Sequence, residues 1–80
     1  MTEILPPLIW LKAFEAAARH ASFTLAATEL GLTQAAVSQQ IKALEGRLGA
    51  KLFHRQQRGV ALTAEGSAYL PHIQQAFAGL

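Results

Sequence analysis

Eighty residues, 51% of them hydrophobic, allow one domain with one core, at the small end of what folds alone. The chain has no cysteine, which excludes a disulfide framework and a thiolate metal site. Its net charge of +2 is modest, yet Lys42, Arg47, Lys51, Arg55 and Arg58 face Glu45 alone between Thr33 and Leu62. The rest of the chain is mildly acidic, with Lys12 and Arg19 against Glu3, Glu15, Glu29 and Glu65. That asymmetry suits a phosphate-binding half on an acidic support, although charge alone suits a solvated surface equally well.

Pro6-Pro7 fits a helix entrance and not a helix interior. Beyond it, Leu8, Leu11, Phe14 and Ala17/Ala18 recur every three to four residues and predict a helix to about His20. Trp10, Ala13 and Ala17 form an adjacent stripe, so this helix is expected to pack on two neighbours. Ser22 is a good N-cap for a short second helix lined by Phe23, Ala26, Ala27 and Leu30, and Gly31 supplies the positive φ that ends it. Thr33 caps a third helix with an inner stripe of Val37, Ile41, Leu44 and Leu48, closed by Gly49. Only Gly31-Leu32-Thr33 separates these two helices. Leu32 is expected to plug the corner, and the whole reads as a helix-turn-helix.

Lys51-Leu52-Phe53-His54-Arg55 and Val60-Ala61-Leu62 flank the polar tip Gln56-Gln57-Arg58-Gly59, which predicts a small hairpin with strands of two or three residues. Thr63 then caps a last helix, with Glu65 favourable in its first turn. Pro71 lies inside this helix and is expected to kink it. Leu70, Ile73, Phe77 and Leu80 follow a coiled-coil-like spacing, read either as a core stripe or as a dimer seam that Trp10 joins, with the dimer preferred. A stripe that runs on to Leu80 suggests a piece of a longer protein.

The third helix exposes Gln34, Ser38 and Gln39 at its N-terminal end, the part that enters the major groove in helix-turn-helix proteins. Glutamine pairs bidentately with adenine, serine donates or accepts at several base edges, and the methyl of Ala35 suits a thymine methyl. Lys42, one turn on, is placed for a phosphate, as are Arg55 and Arg58 around the hairpin tip. Thr24 stands at the start of the second helix, whose free amides favour an anion. The plain alternative is an ordinary polar helix face with solvated arginines.

At these residues the chain resembles the LysR-type transcriptional regulators. The resemblance runs through Leu8-x-x-Leu11-x-x-Phe14, Ala21-Ser22-Phe23-Thr24-Leu25-Ala26-Ala27 and Leu32-Thr33-Gln34-Ala35-Ala36-Val37-Ser38-Gln39-Gln40-Ile41. It continues in Leu44-Glu45, Leu48-Gly49, Leu52-Phe53-x-Arg55 and Leu62-Thr63-x-x-Gly66, and so covers nearly the whole chain. The stretch Phe14 to His20 with Pro6-Pro7-Leu8 looks like the subgroup of the glycine-cleavage activator and the β-lactamase regulator.

The resemblance implies a mainly α fold with a small β-hairpin wing. It divides the chain into a winged helix-turn-helix at 1–62 and a linker or dimerisation helix at 63–80. It implies sequence-specific double-stranded DNA binding, with residues 34–48 in the major groove and the wing, 54–59, on the backbone or minor groove. A homodimer, or a tetramer in the full-length protein, would read an interrupted palindrome built around a T and an A. A small-molecule effector would bind a further domain outside this chain. Matched by motif, the base readers are Gln34, Ala35, Ser38 and Gln39; the phosphate contacts are Thr24, Thr33, Lys42, Arg55 and Arg58. Trp10, Leu70, Ile73, Phe77 and Leu80 are the expected dimer residues. Two positions depart from the family pattern: Ala35 stands where proline is frequent, and Gln39 where arginine is frequent, which weakens the case for a guanine contact there.

Two other classes compete with this reading. An enzyme or metal site is disfavoured, because His20, His54 and His72 fall on three elements with no carboxylate pair or cysteine beside them. A winged helix used only for protein contacts would keep the apolar stripes, but it need not keep a Gln/Ser/Gln edge beside five basic residues. No cofactor is implied. No apolar run approaches the roughly 20 residues needed to span a bilayer, and the first seven residues lack the marks of a signal peptide. A cytoplasmic location is therefore expected.

Overall fold

The computed structural model describes residues 6–79. The elements follow in the order α1 (Leu8–His20), α2 (Phe23–Leu30), α3 (Gln34–Leu48), β1 (Phe53–Arg55), β2 (Val60–Leu62) and α4 (Ala64–Ala78). Each of the last three helices starts on a hydroxyl cap. Ser22, Thr33 and Thr63 accept the amides of Leu25, Ala36 and Gly66 at 3.0 to 3.1 Å, satisfying donors that a helix start leaves without partners. Pro7 opens α1 without a side-chain cap.

The first three helices end alike. Ala21, Gly31 and Gly49 adopt left-handed backbone. The following amides of Ser22, Leu32 and Ala50 reach back to the carbonyls of Ala17, Ala27 and Glu45, a Schellman closure in each case. Two of the three positions are glycine. Ala21, with φ 54°, is the single non-glycine residue at positive φ among the described residues.

α1 is the hub, packed against α2, α3 and α4. Its buried positions are Ala13, Phe14, Ala16 and Ala17, and those small alanines permit close helix approach. Phe14, Val37, Ile41, Leu44 and Leu52 are the largest fully enclosed side chains. Removing a leucine such as Leu44 from such a site typically costs about 2–5 kcal/mol. The hairpin is tied into this core by Phe53, whose ring meets Phe14 at 5.5 Å and Phe23 at 5.4 Å, both edge-on. Tyr69 of α4 completes the group at 5.5 Å from Phe14. Edge-to-face pairs of this kind add about 0.5–1.5 kcal/mol each beyond area burial.

The strands are three residues each and antiparallel, with Phe53 opposite Leu62 and Arg55 opposite Val60. α4 runs through Pro71 without a break. Pro71 and Ser67 are both exposed, so the Ser67 carbonyl that loses its helical partner stays near water.

Some apolar residues expected inside lie outside. Leu8 is 48% exposed on the first turn of α1, and Leu48 is 39% exposed on the last turn of α3. The inner stripe of α3 ends at Leu44. Leu32, expected to plug the corner, is 40% exposed; the turn is closed by backbone, the Leu32 amide donating to Ala27 at 2.9 Å. Ile73 departs the other way. Expected on the dimer stripe, it is 5% exposed and belongs to the core of the single chain, since one face of α4 must cover α1. Leu70, Phe77 and Trp10 are half-buried against that core. Leu80 lies outside the described residues.

Candidate nucleic-acid interface

At about 100° per residue, Gln34, Ala35, Ser38, Gln39 and Lys42 fall within an arc of roughly 140° on α3. The buried Val37, Ile41 and Leu44 occupy a separate arc of roughly 60° that adjoins Gln34. Gln34, Ala35, Gln39 and Lys42 are exposed, and Ser38 is half-buried where the helix turns toward the hairpin. The outward edge is therefore polar because packing has already claimed the apolar stripe.

Two adjoining grooves run between this edge and the wing. One is lined by Thr24, Gln34, Arg55, Gln56 and Gln57, where the starts of α2 and α3 meet the hairpin. The other runs along α3 and holds Ser38, Lys42, Lys51, His54 and Arg55. Arg55 borders both. The fold thus gathers Thr24, Gln34, Ser38, Lys42 and Arg55 into one continuous surface. Ala35, Gln39, Thr33 and Arg58 are exposed but line neither groove. Thr33 spends its oxygen on the Ala36 amide at 3.0 Å, so capping is the duty the geometry shows for it.

The wing is held from two sides. The Val60 amide donates to the Ala21 carbonyl at 3.1 Å, and Gly59 passes so close to that carbonyl that a Cβ there would collide with it. On the other side, the Glu45 carboxylate accepts the amides of Leu52 at 2.8 Å and Phe53 at 3.3 Å. Although Glu45 is an acid amid basic residues, only 12% of its side chain is exposed. Its partners lie seven and eight residues ahead across a loop, so helical spacing held no signal for them. Lys51, counted in the sequence only as charge, and His54, weighed there only as a disfavoured metal or catalytic residue, also line the α3–wing groove.

Charge is segregated in the same way. Arg19 donates to both oxygens of Glu15 and both of Glu29, each at 2.8 Å, and His20 lies 2.7 Å from Glu29. Hydrogen bonds from Arg19 first and His20 second hold the Glu29 carboxyl down to about 2. Bonds to Glu15 and then Glu29 push the Arg19 guanidinium above its already high value. The acids of α1 and α2 are thereby gathered around one arginine. Lys42, Arg55 and Arg58 form no ion pair or side-chain hydrogen bond among the described residues. Their charge is open to an external anion.

Among the described residues, no group of three or more histidine, aspartate or glutamate side chains is placed to hold a metal ion. Nor, among the described residues, is any helix long and apolar enough to cross a membrane.

Known proteins resemble this chain in sequence and in fold. Residues 8–67 match the model of the bacterial regulatory helix-turn-helix proteins of the lysR family. The glycine cleavage system transcriptional activator of Escherichia coli K12 is 56% identical over 80 residues, all of this chain and 26% of that protein. The HTH-type transcriptional activator AmpR of Providencia stuartii is 59% identical over 71 residues, 89% of this chain and 24% of its own length. The chain thus spans about a quarter of the length of these curated relatives. The crystal structure of the CbnR DBD–DNA complex superposes with a TM-score of 0.85 at 35% identity, covering 90% of this chain and 83% of that one.

Proposed function

The chain belongs to the lysR family of bacterial regulatory helix-turn-helix proteins, and from that premise we propose that it is the DNA-reading part of a transcriptional regulator. Its fold is the winged helix-turn-helix of LysR DNA-binding domains. The subgroup resemblance agrees with the relatives, which include both a glycine-cleavage activator and AmpR proteins.

One observation carries the proposal furthest. Arg55, which has no ion pair or side-chain hydrogen bond among the described residues, borders both grooves, one shared with Gln34 and the other with Ser38 and Lys42. Phosphate contacts position a protein on DNA and base contacts specify the sequence, and this surface offers both kinds side by side. In this reading the first turn and a half of α3 enters the major groove. Gln34, Ala35, Ser38 and Gln39 meet base edges, while Thr24, Thr33, Lys42, Arg55 and Arg58 meet phosphates, the last two through the wing. The relatives are regulators by name.

One α3 reads a half-site, so the account includes a homodimer on an interrupted palindrome. Trp10, Leu70 and Phe77 are half-buried and retain apolar surface for that seam, whereas Ile73 serves the chain's own core. Effector binding would belong to the part of the regulator outside this chain.

Selection of bound sequences from a random duplex pool tests the reading. The expected outcome is a conserved half-site, repeated with dyad symmetry at a fixed spacing. A pool that stays unenriched would count against sequence-specific binding, and a lone half-site would count against the dimer.

A further inference from the structure

Glu45 is an acidic residue on the helix that faces the basic groove, where a carboxylate should repel phosphate. The groove between α3 and the wing includes it beside Lys42, Lys51 and Arg55. Its geometry gives it another use. Both of its hydrogen bonds go to consecutive backbone amides where the chain enters β1, and both converge on the same oxygen, Oε2. The other oxygen stands 3.9 Å from the Lys51 ammonium. Leu52 immediately precedes β1 and Phe53 is its first residue, so these amides lie where the hairpin joins the loop from α3. A carboxylate accepting two amides is held more firmly than a neutral acceptor.

We propose that Glu45 is a positioning residue for DNA binding. It fixes the wing to the reading helix, so that Arg55 and the tip with Arg58 meet the backbone while Gln34 and Ser38 meet bases. The inference rests on the DNA-reading role proposed above and adds a division of labour within it. Thr63 reinforces the joint by donating to the Lys51 carbonyl at 2.6 Å, and its amide donates to the Leu52 carbonyl at 3.0 Å. The Ala21–Val60 bond secures the far strand. Glu45 alone among these ties runs from the reading helix itself.

The test separates reach from charge. Glu45→Asp keeps the charge but is one methylene too short to serve both amides, whereas Glu45→Gln keeps the length and an oxygen acceptor but loses the charge. Wild type and both variants are titrated with mixed-sequence duplex DNA over a range of salt, at a temperature where circular dichroism shows full helix. Amide hydrogen exchange is followed at Leu52 and Phe53.

In E45D, exchange at both amides should quicken, affinity should fall about tenfold, and the salt slope should shrink by about one phosphate contact as the wing drifts. E45Q should stay within about threefold of wild type and keep its slope. A loss of global stability alone would leave the slope of the folded protein unchanged. An E45D that is folded and matches wild type in affinity and slope would overturn the proposal, as would an E45Q that loses as much as E45D. Should E45D fail to fold, a folded E45Q with weakened affinity and a smaller slope is the overturning result. Absence of duplex binding by the wild type would sink the DNA reading itself, a different failure from binding that ignores Glu45.

Discussion

Arg19, near the end of α1, and Glu29, near the end of α2, are joined by two parallel hydrogen bonds of 2.8 Å. The same guanidinium also grips Glu15 one turn back on its own helix. One side chain therefore fixes the first helix to the second from outside the core, and with it the helix that leads into α3. Bidentate arginine–carboxylate pairs are among the more specific ion pairs, though at an exposed site solvent screens their strength.

This clamp has a pH signature. Arg19, and after it His20, hold the Glu29 carboxyl down to about 2 in the folded chain. A group with a depressed folded value stabilises the fold above its unfolded value and stops doing so as acid protonates it. Stability should therefore be fully supported above about pH 4.5 and fall as pH drops toward 2. Thermal melts across that window measure it. In Arg19→Met the Glu29 contribution to the acid loss should be much smaller; an unchanged acid profile would show that the clamp contributes nothing.

Ala21 supports a second prediction. An alanine in left-handed backbone carries strain of about 1–2 kcal/mol that glycine does not, and Ala21 holds φ 54° so that its carbonyl can meet the wing. Ala21→Gly should raise the melting temperature, by up to about 1 kcal/mol of stability after glycine's extra chain entropy. A lower melting temperature would mean that the methyl itself packs usefully.

Gly66 predicts the opposite. It is buried in the first turn of α4, and a Cβ there would run into the Leu52 carbonyl and the Leu62 side chain. Backbone does not yield as a flexible side chain does, so Gly66→Ala should destabilise by about 1–3 kcal/mol. Chemical denaturation reads the difference, and a neutral result would show that α4 can slide on the hairpin.

Base reading is assigned to Gln34. Gln34→Ala should relax preference at one base pair, at a cost of about 1–3 kcal/mol on the selected duplex and little on others. Competition between duplexes that differ at single positions measures this. Equal weakening on every duplex would make Gln34 a backbone contact instead.

Much of this fold was legible in the sequence because its signals are local. Ser22, Thr33 and Thr63 each cap an amide three residues on, a relation that short-range spacing carries directly. The stripe Val37, Ile41, Leu44 and the terminators Gly31 and Gly49 are local too. Signals that depend on distant partners were not legible. Glu45 has the polar type of a solvated face, and its partners depend on where the hairpin docks. Ile73 shares one spacing with Leu70 and Phe77, and only the docking of α4 on α1 shows which of them faces inward. Alanine gives no hint of left-handed backbone, so Ala21 passed unnoticed. In the candidate site, spacing on α3 grouped Gln34, Ser38 and Lys42, but only the fold brought Arg55 alongside.

The central claim is that the edge of α3 and the wing form one DNA-binding surface. The most direct measurement is affinity for a mixed-sequence duplex as salt is varied, for wild type, Lys42→Ala, Arg58→Ala and Lys12→Ala. Log affinity should fall linearly with log salt, by about 0.9 for each phosphate neutralised. Lys42→Ala and Arg58→Ala should each lower that slope by about 1, while Lys12→Ala, exposed on α1 away from both grooves, should leave it unchanged. No binding at low salt, or a slope that Lys12→Ala changes as much as Arg58→Ala does, would contradict the account.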